Sequence, residues 1–518
     1  MPAGRFLATS IAAALLLTSA LATPASAGAA VGAVVPTDRG PVRGAVEAHT
    51  RTFSGIPYAA PPVGERRWRA PEPAARWSGV RDATVPGPRC PQLGDPVVGI
   101  PRSENEDCLY LNVTTPRNPA PRPRPVMVWL HGGGMRSGAG SDSDPRRLAA
   151  TGDVIVVTPN YRLGIFGFFG YPGLTGSGTF GLQDQQAALR WVRRNAAFFG
   201  GDPANVTLFG ESAGGDGVCA QLASPLAAGL FDRAILQSGS CTTANPVAVI
   251  LPVAGAAEDT WKPRSLTESL GARTATEGLR CDNLACLRAR TATELLATPA
   301  VYWSPAFDTP LLPVHPAEAL RTGHFNRVPV LAGHTRDEGR FFVATFFPGG
   351  IDDPTYQWLL TTAFGDRAGE VAARYAEAGS PSLAWAAIVT DRAYVCPSLV
   401  AGRAIAARAP YRHYLFADRA APQIFALPAP PPFPMGAYHG AELPYLFDMD
   451  GVTLTAAQRR LADQMIRYWT AFAASGDPER PGLPRWPSRL AQSLAPDAVG
   501  PVDLAAQHHC GFWAEYPS

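Results

Sequence analysis

Residues 206–214 read VTLFGESAG, a short apolar run that leads directly into the pattern Gly-x-Ser-x-Gly. An apolar run of this length predicts a buried strand, and the residues after Gly214 favour a helix. The passage from strand to helix in this pattern is so tight that the serine adopts a strained backbone, which only glycine neighbours tolerate. We therefore expect the hydroxyl of Ser212 to project from the carboxyl edge of a sheet.

Apolar runs elsewhere in the chain predict further strands of the same sheet. They are Val126–Leu130, Val154–Pro159, Ala234–Leu236 and Val328–Ala332. They lack the alternation of polar and apolar residues found in half-exposed strands, as expected where helices cover both faces of a parallel sheet. Helical patterns lie at Leu182–Phe199 and at Leu461–Ser475, the latter ending at Gly476. The fold class is therefore α/β, with a central, mostly parallel sheet.

A glycine run follows the predicted strand Val126–Leu130. It reads His131-Gly132-Gly133-Gly134. Attack of a hydroxyl on an acyl carbon creates an oxyanion, and glycines allow backbone amides to approach that oxygen unobstructed. We assign the amides of Gly133, Gly134 and Ala213 to this oxyanion hole.

A nucleophilic serine needs a general base and an acid that orients the base. In α/β chains with a Gly-x-Ser-x-Gly turn, the order is serine, then Asp or Glu, then histidine. The late histidines are His413, His439, His508 and His509. His413 lies in the strand-like segment Tyr411–Phe416, and the last two lie near the C-terminus. His439 lies in a turn-like segment and is the best candidate for the base.

Two acidic residues compete for the orienting role. Asp337 and Glu338 both follow the predicted strand Val328–Ala332. Local sequence does not choose between them, and either is also compatible with an ordinary solvated loop charge.

Composition excludes several other chemistries. The 518 residues include 45 Lys+Arg and 43 Asp+Glu, so the net charge of +2 indicates no general attraction for nucleic acid. Lys262 is the sole lysine, and its neighbours match neither a phosphate-binding loop nor an S-x-x-K serine enzyme. No Cys-x-x-Cys or His-Glu-x-x-His spacing predicts a metal site. We expect no cofactor.

The N-terminus has the features of a secretory signal. Arg5 precedes an apolar segment that ends at Leu21, and Ala25-Ser26-Ala27 supplies small residues at a cleavage site. We predict a signal peptide over residues 1–27, followed by one catalytic domain over residues 28–518. No later stretch is apolar enough to cross a membrane. Eight cysteines fit export to an oxidising compartment.

Taken together, the motifs resemble the type-B carboxylesterases, the α/β-hydrolases that include cholinesterase-like enzymes. The similar segments cover nearly the whole mature chain. They are Phe53–Ala59, Glu106–Val113, Asn160–Gly164, Gly210–Gly215, Asp337–Gly339 and His439–Pro444.

The resemblance implies roles for individual residues. It assigns the catalytic acid to Glu338, places Ser238 beside that acid, and includes Glu211 among the residues that support the catalytic groups. It also implies disulfides. These are Cys90–Cys108, Cys281–Cys286 and Cys396–Cys510; whether the remaining Cys219 and Cys241 pair with each other stays open.

The chain also departs from the family pattern. Met135 replaces the usual aromatic after the glycine run, and Asp216 lies one helical turn past Ser212, where small residues are common. A carboxylate there must be solvated, hydrogen-bonded or protonated. The segment 91–107 contains no aromatic residue, which disfavours choline esters as preferred substrates.

These observations predict a secreted serine carboxylesterase that cleaves small-molecule esters, with catalytic residues Ser212, Glu338 and His439. Two alternatives stay open. One is a lipase or sterol-esterase specialisation of the same mechanism. The other is a non-catalytic binding protein with a hydrolase-like shell. The sequence does not indicate an oligomeric state.

Overall fold

The computed structural model describes Met1 and residues 32–97, 99–242, 246–252, 259–298, 303–487 and 489–515. Apart from Met1, the predicted signal peptide lies outside the described residues. The strands are β1 (Val34–Val35), β2 (Val42–Arg43), β3 (Ala45–Val46), β4 (Thr50–Pro57), β5 (Arg81–Asp82), β6 (Tyr110–Pro116), β7 (Arg124–Leu130), β8 (Ile155–Pro159), β9 (Gly201–Glu211), β10 (Arg233–Gln237), β11 (Lys262–Pro263), β12 (Ala306–Phe307), β13 (Val330–Thr335), β14 (Tyr411–Phe416), β15 (Ala491–Leu494) and β16 (Gly500–Val502).

The described residues also form α-helices, which lie between or after these strands. They are α1 (Arg146–Gly152), α2 (Gly164–Phe168), α3 (Phe180–Asn195), α4 (Ala213–Ala223), α5 (Pro246–Ile250), α6 (Arg264–Arg273), α7 (Leu284–Ala289), α8 (Ala292–Leu296), α9 (Pro316–Thr322), α10 (Gly339–Phe346), α11 (Asp353–Phe364), α12 (Ala368–Arg374), α13 (Pro381–Val389), α14 (Cys396–Ala406), α15 (Leu443–Leu446), α16 (Ala456–Ser475), α17 (Leu504–Gln507) and α18 (Cys510–Trp513). A π-helical segment, Thr390–Val395, lies between α13 and α14.

The main sheet has 11 strands in the order β16-β15-β14-β13-β10-β9-β7-β8-β6-β4-β3 within the described residues. The seven strands from β15 to β8 are parallel to one another. Strands β16, β6, β4 and β3 pair antiparallel with their neighbours. The predicted mostly parallel sheet is confirmed. Because their carboxyl ends share one edge, the segments that follow β7, β9 and β13 are brought together there.

Side chains of β7 alternate between the two faces of the sheet. Val126 and Val128 pack in the apolar cluster that includes residues of α3 and α4. Met127 and Trp129 pack in the opposite cluster, with residues of α1 and α16. The uninterrupted apolar run is therefore explained by burial on both sides.

Helix α16 ends where the sequence predicts and begins earlier. Gly476 closes it in the left-handed region, with φ 83°. At the other end, Thr455 and Gln458 form a capping box that places the start at Ala456 rather than at Leu461.

All eight cysteines form disulfides. Three are the predicted pairs Cys90–Cys108, Cys281–Cys286 and Cys396–Cys510, and the fourth is Cys219–Cys241, which the sequence left open. This fourth bond joins α4 to the segment that follows β10. Across the described ranges, no helix is both long and apolar enough to cross a lipid bilayer.

Candidate active site

The nucleophile turn has the geometry that its sequence predicts. Strand β9 ends at Glu211, helix α4 begins at Ala213, and Ser212 between them has φ 55° and ψ −126°. A Cβ on Gly214 would lie 1.9 Å from the carbonyl oxygen of Leu130, so no larger residue fits. The amide of Ser212 donates to the carbonyl of Gln237 at 2.9 Å, which anchors the strained residue to β10.

The glycine run lies against this turn. A Cβ on Gly132 would be 3.2 Å from Cβ of Ser212. Gly133 and Gly134 have φ of 100° and 62°, a region that L side chains rarely adopt. Within the described chain, the amides of Gly133, Gly134 and Ala213 donate no hydrogen bond to protein. These three donors are free for a ligand oxygen.

His439 is held by Glu338. Nδ1 of His439 lies 2.5 Å from Oε2 of Glu338, and both side chains are buried. Oε1 of Glu338 accepts a 2.9 Å hydrogen bond from the amide of Thr335, at the end of β13. The carboxylate is therefore fixed on both oxygens, and it fixes the imidazole in turn.

Asp337 points elsewhere. Its carboxylate forms an ion pair with Arg340 at 3.0 Å and accepts a 2.9 Å hydrogen bond from the amide of Ala437. Of the two acids that local sequence left open, only Glu338 contacts the histidine. His413 lies inside β14, where its Nε2 is 3.0 Å from Nε2 of His334.

The other nitrogen of the imidazole faces the nucleophile turn. Nε2 of His439 lies 3.3 Å from Oε1 of Glu211, the residue that precedes Ser212. The structure contains no hydrogen bond between the Ser212 hydroxyl and His439. Aromatic rings enclose the imidazole, with Phe342 at 4.9 Å and Tyr394 at 5.3 Å between ring centroids. The imidazole therefore lies among aromatic rings beside the turn that carries Ser212.

Buried carboxylates determine the electrostatics of the pocket. Burial lowers the pKa of His439, but Glu211 and Glu338 outweigh it and raise that pKa to about 9. Burial, supported by Glu442, raises the pKa of Glu211 to about 8. Because these groups interact strongly, their protons titrate as a set.

Glu442 is a site residue that the sequence reasoning missed. It is fully buried, and its Oε1 accepts a 3.3 Å hydrogen bond from Gln237. Burial and then the charge of Glu338 raise its pKa to about 7. Its spacing of three residues from His439 in the motif His439–Pro444 was the available signal, since this spacing brings two side chains to one face of a helical turn.

Ser238 follows Gln237, the hydrogen-bond partner of Glu442, but its own hydroxyl does not join these hydrogen bonds. It is buried with φ 50°, and its hydroxyl makes no hydrogen bond. Its amide donates to the carbonyl of Gly333 at 2.8 Å. The structure therefore shows no hydrogen bond between Ser238 and Glu338.

The described residues include no candidate metal site. Within the described ranges, no group of three or more His, Cys, Asp or Glu side chains has the arrangement of a metal site. The groups that lie beside the turn of Ser212 are a histidine and carboxylates.

Comparisons with a family model, known proteins and solved structures show similarity over most of the chain. The family model described as "Carboxylesterase family" matches residues 31–497. Para-nitrobenzyl esterase of Bacillus subtilis is 36% identical over 483 residues, covering 88% of this chain and 92% of that protein. Cocaine esterase of Homo sapiens is 34% identical over 512 residues, covering 91% and 88%. The solved structure of a thermophilic PNB esterase superposes with a TM-score of 0.76 at 34% identity, covering 92% of this chain and 99% of that one.

Proposed function

Because the chain belongs to the carboxylesterase family, we propose that it hydrolyses esters through an acyl-enzyme intermediate formed on Ser212. The fold is that of an α/β-hydrolase, and the protein is a carboxylic ester hydrolase. The observation that supports the mechanism is the position of His439. One of its nitrogens is held by Glu338, and the other faces the turn that carries the serine.

In the first step, the oxygen of Ser212 attacks the ester carbonyl and its proton passes to Nε2 of His439. Glu338 accepts the Nδ1–H hydrogen bond, which sets the tautomer with a free lone pair on Nε2 and stabilises the imidazolium that forms. The serine and the imidazole come into hydrogen-bond contact in this step, since catalytic hydrogen bonds commonly tighten only when substrate is bound.

The negative charge that develops on the carbonyl oxygen needs fixed donors. The free amides of Gly133, Gly134 and Ala213 supply them. Such a donor is worth about 3 kcal/mol of transition-state stabilisation, because it is oriented before the reaction begins.

The intermediate then collapses. The imidazolium gives its proton to the leaving alcohol, and the carbon–oxygen bond to that alcohol breaks. Water enters, transfers a proton to Nε2 of His439 and attacks the acyl carbon. Return of that proton to the oxygen of Ser212 releases the carboxylic acid and restores the enzyme.

We also propose that the protein is secreted. The apolar N-terminal segment and its small-residue cleavage site support a signal peptide over residues 1–27. Four disulfides agree with an oxidising compartment. Sequencing the N-terminus of the exported protein tests this. A mature chain that begins near Gly28 is expected, whereas an intact Met1 in the exported protein would contradict it.

The central experiment is Ser212→Ala, with Ser78→Ala as its matched control because Ser78 is exposed. We expect Ser212→Ala to lower kcat on a para-nitrophenyl ester by a factor of about 10⁴ or more, and to abolish labelling by a fluorophosphonate probe. Ser78→Ala should match the wild type in both assays. Turnover by folded Ser212→Ala at a near wild-type rate would refute the assignment.

The same assay addresses the alternatives. A binding protein with a hydrolase-like shell would leave the probe unreacted in the wild type. A series of para-nitrophenyl esters of increasing acyl length separates a short-chain esterase from a lipase or sterol esterase by the length at which kcat/KM is greatest.

A further inference from the structure

Asp216 is an exception within the helix that follows the nucleophile. Every other residue of α4 (Ala213–Ala223) is buried, whereas Asp216 is partly exposed. Ser212 and the glycines 132–134 are also partly exposed. Asp216 is therefore the one residue of α4 that is not buried, and it shares partial exposure with Ser212 and the glycine run.

The carboxylate of Asp216 is only half satisfied. Its Oδ1 accepts a 3.2 Å hydrogen bond from the amide of Ser240. In the described chain its Oδ2 accepts no hydrogen bond, and no arginine or lysine forms an ion pair with it. Burial raises the pKa of this carboxyl group to about 7, with the Ser240 hydrogen bond and the charge of His439 acting in the opposite direction.

Asp216 lies near the residues of the proposed mechanism. Its amide donates to the carbonyl of Ser212 at 3.0 Å in the first turn of α4, and the charge of His439 acts on its carboxyl group. The titratable groups that act on it electrostatically, His439, Glu211 and Tyr161, include no permanent cation. A cation that enters with the substrate would therefore be the missing partner of this carboxylate.

We propose that Asp216 forms a subsite that selects esters carrying a cationic group. The proposal rests on the hydrolase mechanism above and adds a substrate class to it. The cation lies in the acyl or the alcohol part of the ester, and its chemistry is the same in both. An ammonium group that displaces water from the free side of the carboxylate gains a charge pair in a pocket of low dielectric.

A structural role makes a different prediction. An aspartate in the first turn of a helix interacts favourably with the helix dipole, and its removal lowers stability without regard to substrate. Only a subsite makes the ratio of kcat/KM between a cationic and a neutral ester depend on residue 216. That ratio is therefore the readout.

The experiment compares Asp216→Asn with the wild type on two pairs of isosteric esters. The acyl pair is the para-nitrophenyl ester of γ-butyrobetaine and the neutral ester in which a tert-butyl group replaces the trimethylammonium group. The alcohol pair is acetylcholine and the neutral ester with the same replacement. We expect Asp216→Asn to lower the cationic-to-neutral ratio of kcat/KM by about tenfold or more in one pair. The pair that responds identifies the part of the ester that carries the cation.

Control experiments distinguish failure of the proposed subsite from misfolding of the variant and from failure of the hydrolase mechanism. Asp497→Asn removes an exposed carboxylate and should leave both ratios unchanged. In the wild type, added salt should lower kcat/KM for the responsive cationic ester more than for its isostere, a result that does not depend on folding of the variant. Unchanged ratios in both pairs, or equal salt effects, would overturn the subsite. Loss of neutral-ester turnover in Ser212→Ala, in contrast, tests the hydrolase mechanism alone.

Discussion

Two buried histidine–carboxylate pairs in this protein have nearly the same geometry and different surroundings. Nδ1 of His439 lies 2.5 Å from Oε2 of Glu338, and Nδ1 of His508 lies 2.7 Å from Oδ1 of Asp391. The first pair faces a nucleophile turn through Nε2, at 3.3 Å from Glu211. Nε2 of His508, in the second pair, is buried without a hydrogen-bond partner.

The second pair belongs to a structural network. Asp391, in the π-helical segment, also accepts a 2.7 Å hydrogen bond from the hydroxyl of Tyr375, which accepts one of 2.7 Å from the indole of Trp513. The Cys396–Cys510 disulfide joins the same two parts of the chain. In the proposed mechanism, a carboxylate that orients a histidine serves catalysis only where the other ring nitrogen faces a nucleophile. In the second pair the same contact anchors the C-terminal segment.

Among the variants that test this comparison, Glu338→Gln is expected to have the largest effect, a loss of kcat. The amide keeps the shape of the side chain but does not stabilise the imidazolium, so kcat should fall by a factor of about 10³ to 10⁴. Stopped-flow or steady-state hydrolysis of a para-nitrophenyl ester measures this. A loss below tenfold in a folded variant would mean that the two pairs do not differ in the proposed way.

A smaller effect is expected from Glu211→Gln, read in the pH profile. In the proposed mechanism His439 acts as the base with its Nε2 unprotonated. Glu211 helps to raise the pKa of His439 to about 9. Wild-type kcat/KM should therefore rise with pH through the neutral range. Removing the charge lowers that pKa, and the acid limb should move to lower pH. An acid limb that stays in place or moves to higher pH would contradict the proposed coupling.

Asp391→Asn should alter stability and leave catalysis nearly unchanged. The substitution weakens a buried, hydrogen-bonded pair, which lowers the free energy of unfolding by about 2 to 4 kcal/mol. Urea unfolding measures the loss, and kcat/KM should stay within about twofold. Asp497→Asn, in an exposed ion pair with Arg460, is the control and should change stability by less than about 0.5 kcal/mol. A large fall in kcat for Asp391→Asn would assign the second pair to catalysis.

The smallest effect is expected from Ser238→Ala. Since the hydroxyl of Ser238 is buried without a hydrogen bond, its removal should change kcat/KM by less than about threefold and stability by less than about 1 kcal/mol. A tenfold or greater fall in kcat/KM at unchanged stability would instead support the partnership with Glu338 that the family resemblance implies.

The sequence predicted the parts of the structure that local patterns encode. The apolar runs at Val126–Leu130 and Val206–Phe209 lie within β7 and β9, because strands buried on both faces are apolar throughout. Strand β9 nevertheless begins at Gly201, five residues before its apolar run. Gly201 pairs with Arg124 across an irregularity in register, so this extension depends on a neighbouring strand that local hydrophobicity does not report.

In the site, single-residue choices escaped local reasoning. Asp337 and Glu338 are adjacent, yet one contacts Arg340 and the other His439, because successive side chains in a turn point in different directions. The segment that carries His439 is distant in sequence, so local sequence does not distinguish the two acids, whereas the family resemblance assigned the role to Glu338. Glu442 escaped notice for a related reason, since its partner Gln237 lies on a strand far away in the chain.

The Cys219–Cys241 disulfide has a consequence for how this enzyme would adapt to new substrates. It links the helix of Asp216 to the segment of Ser240, which donates to that carboxylate. Because the link is covalent, it limits how far these two segments can separate, so the proposed subsite would accommodate a bulkier ester through exchanged side chains rather than through movement of its backbone.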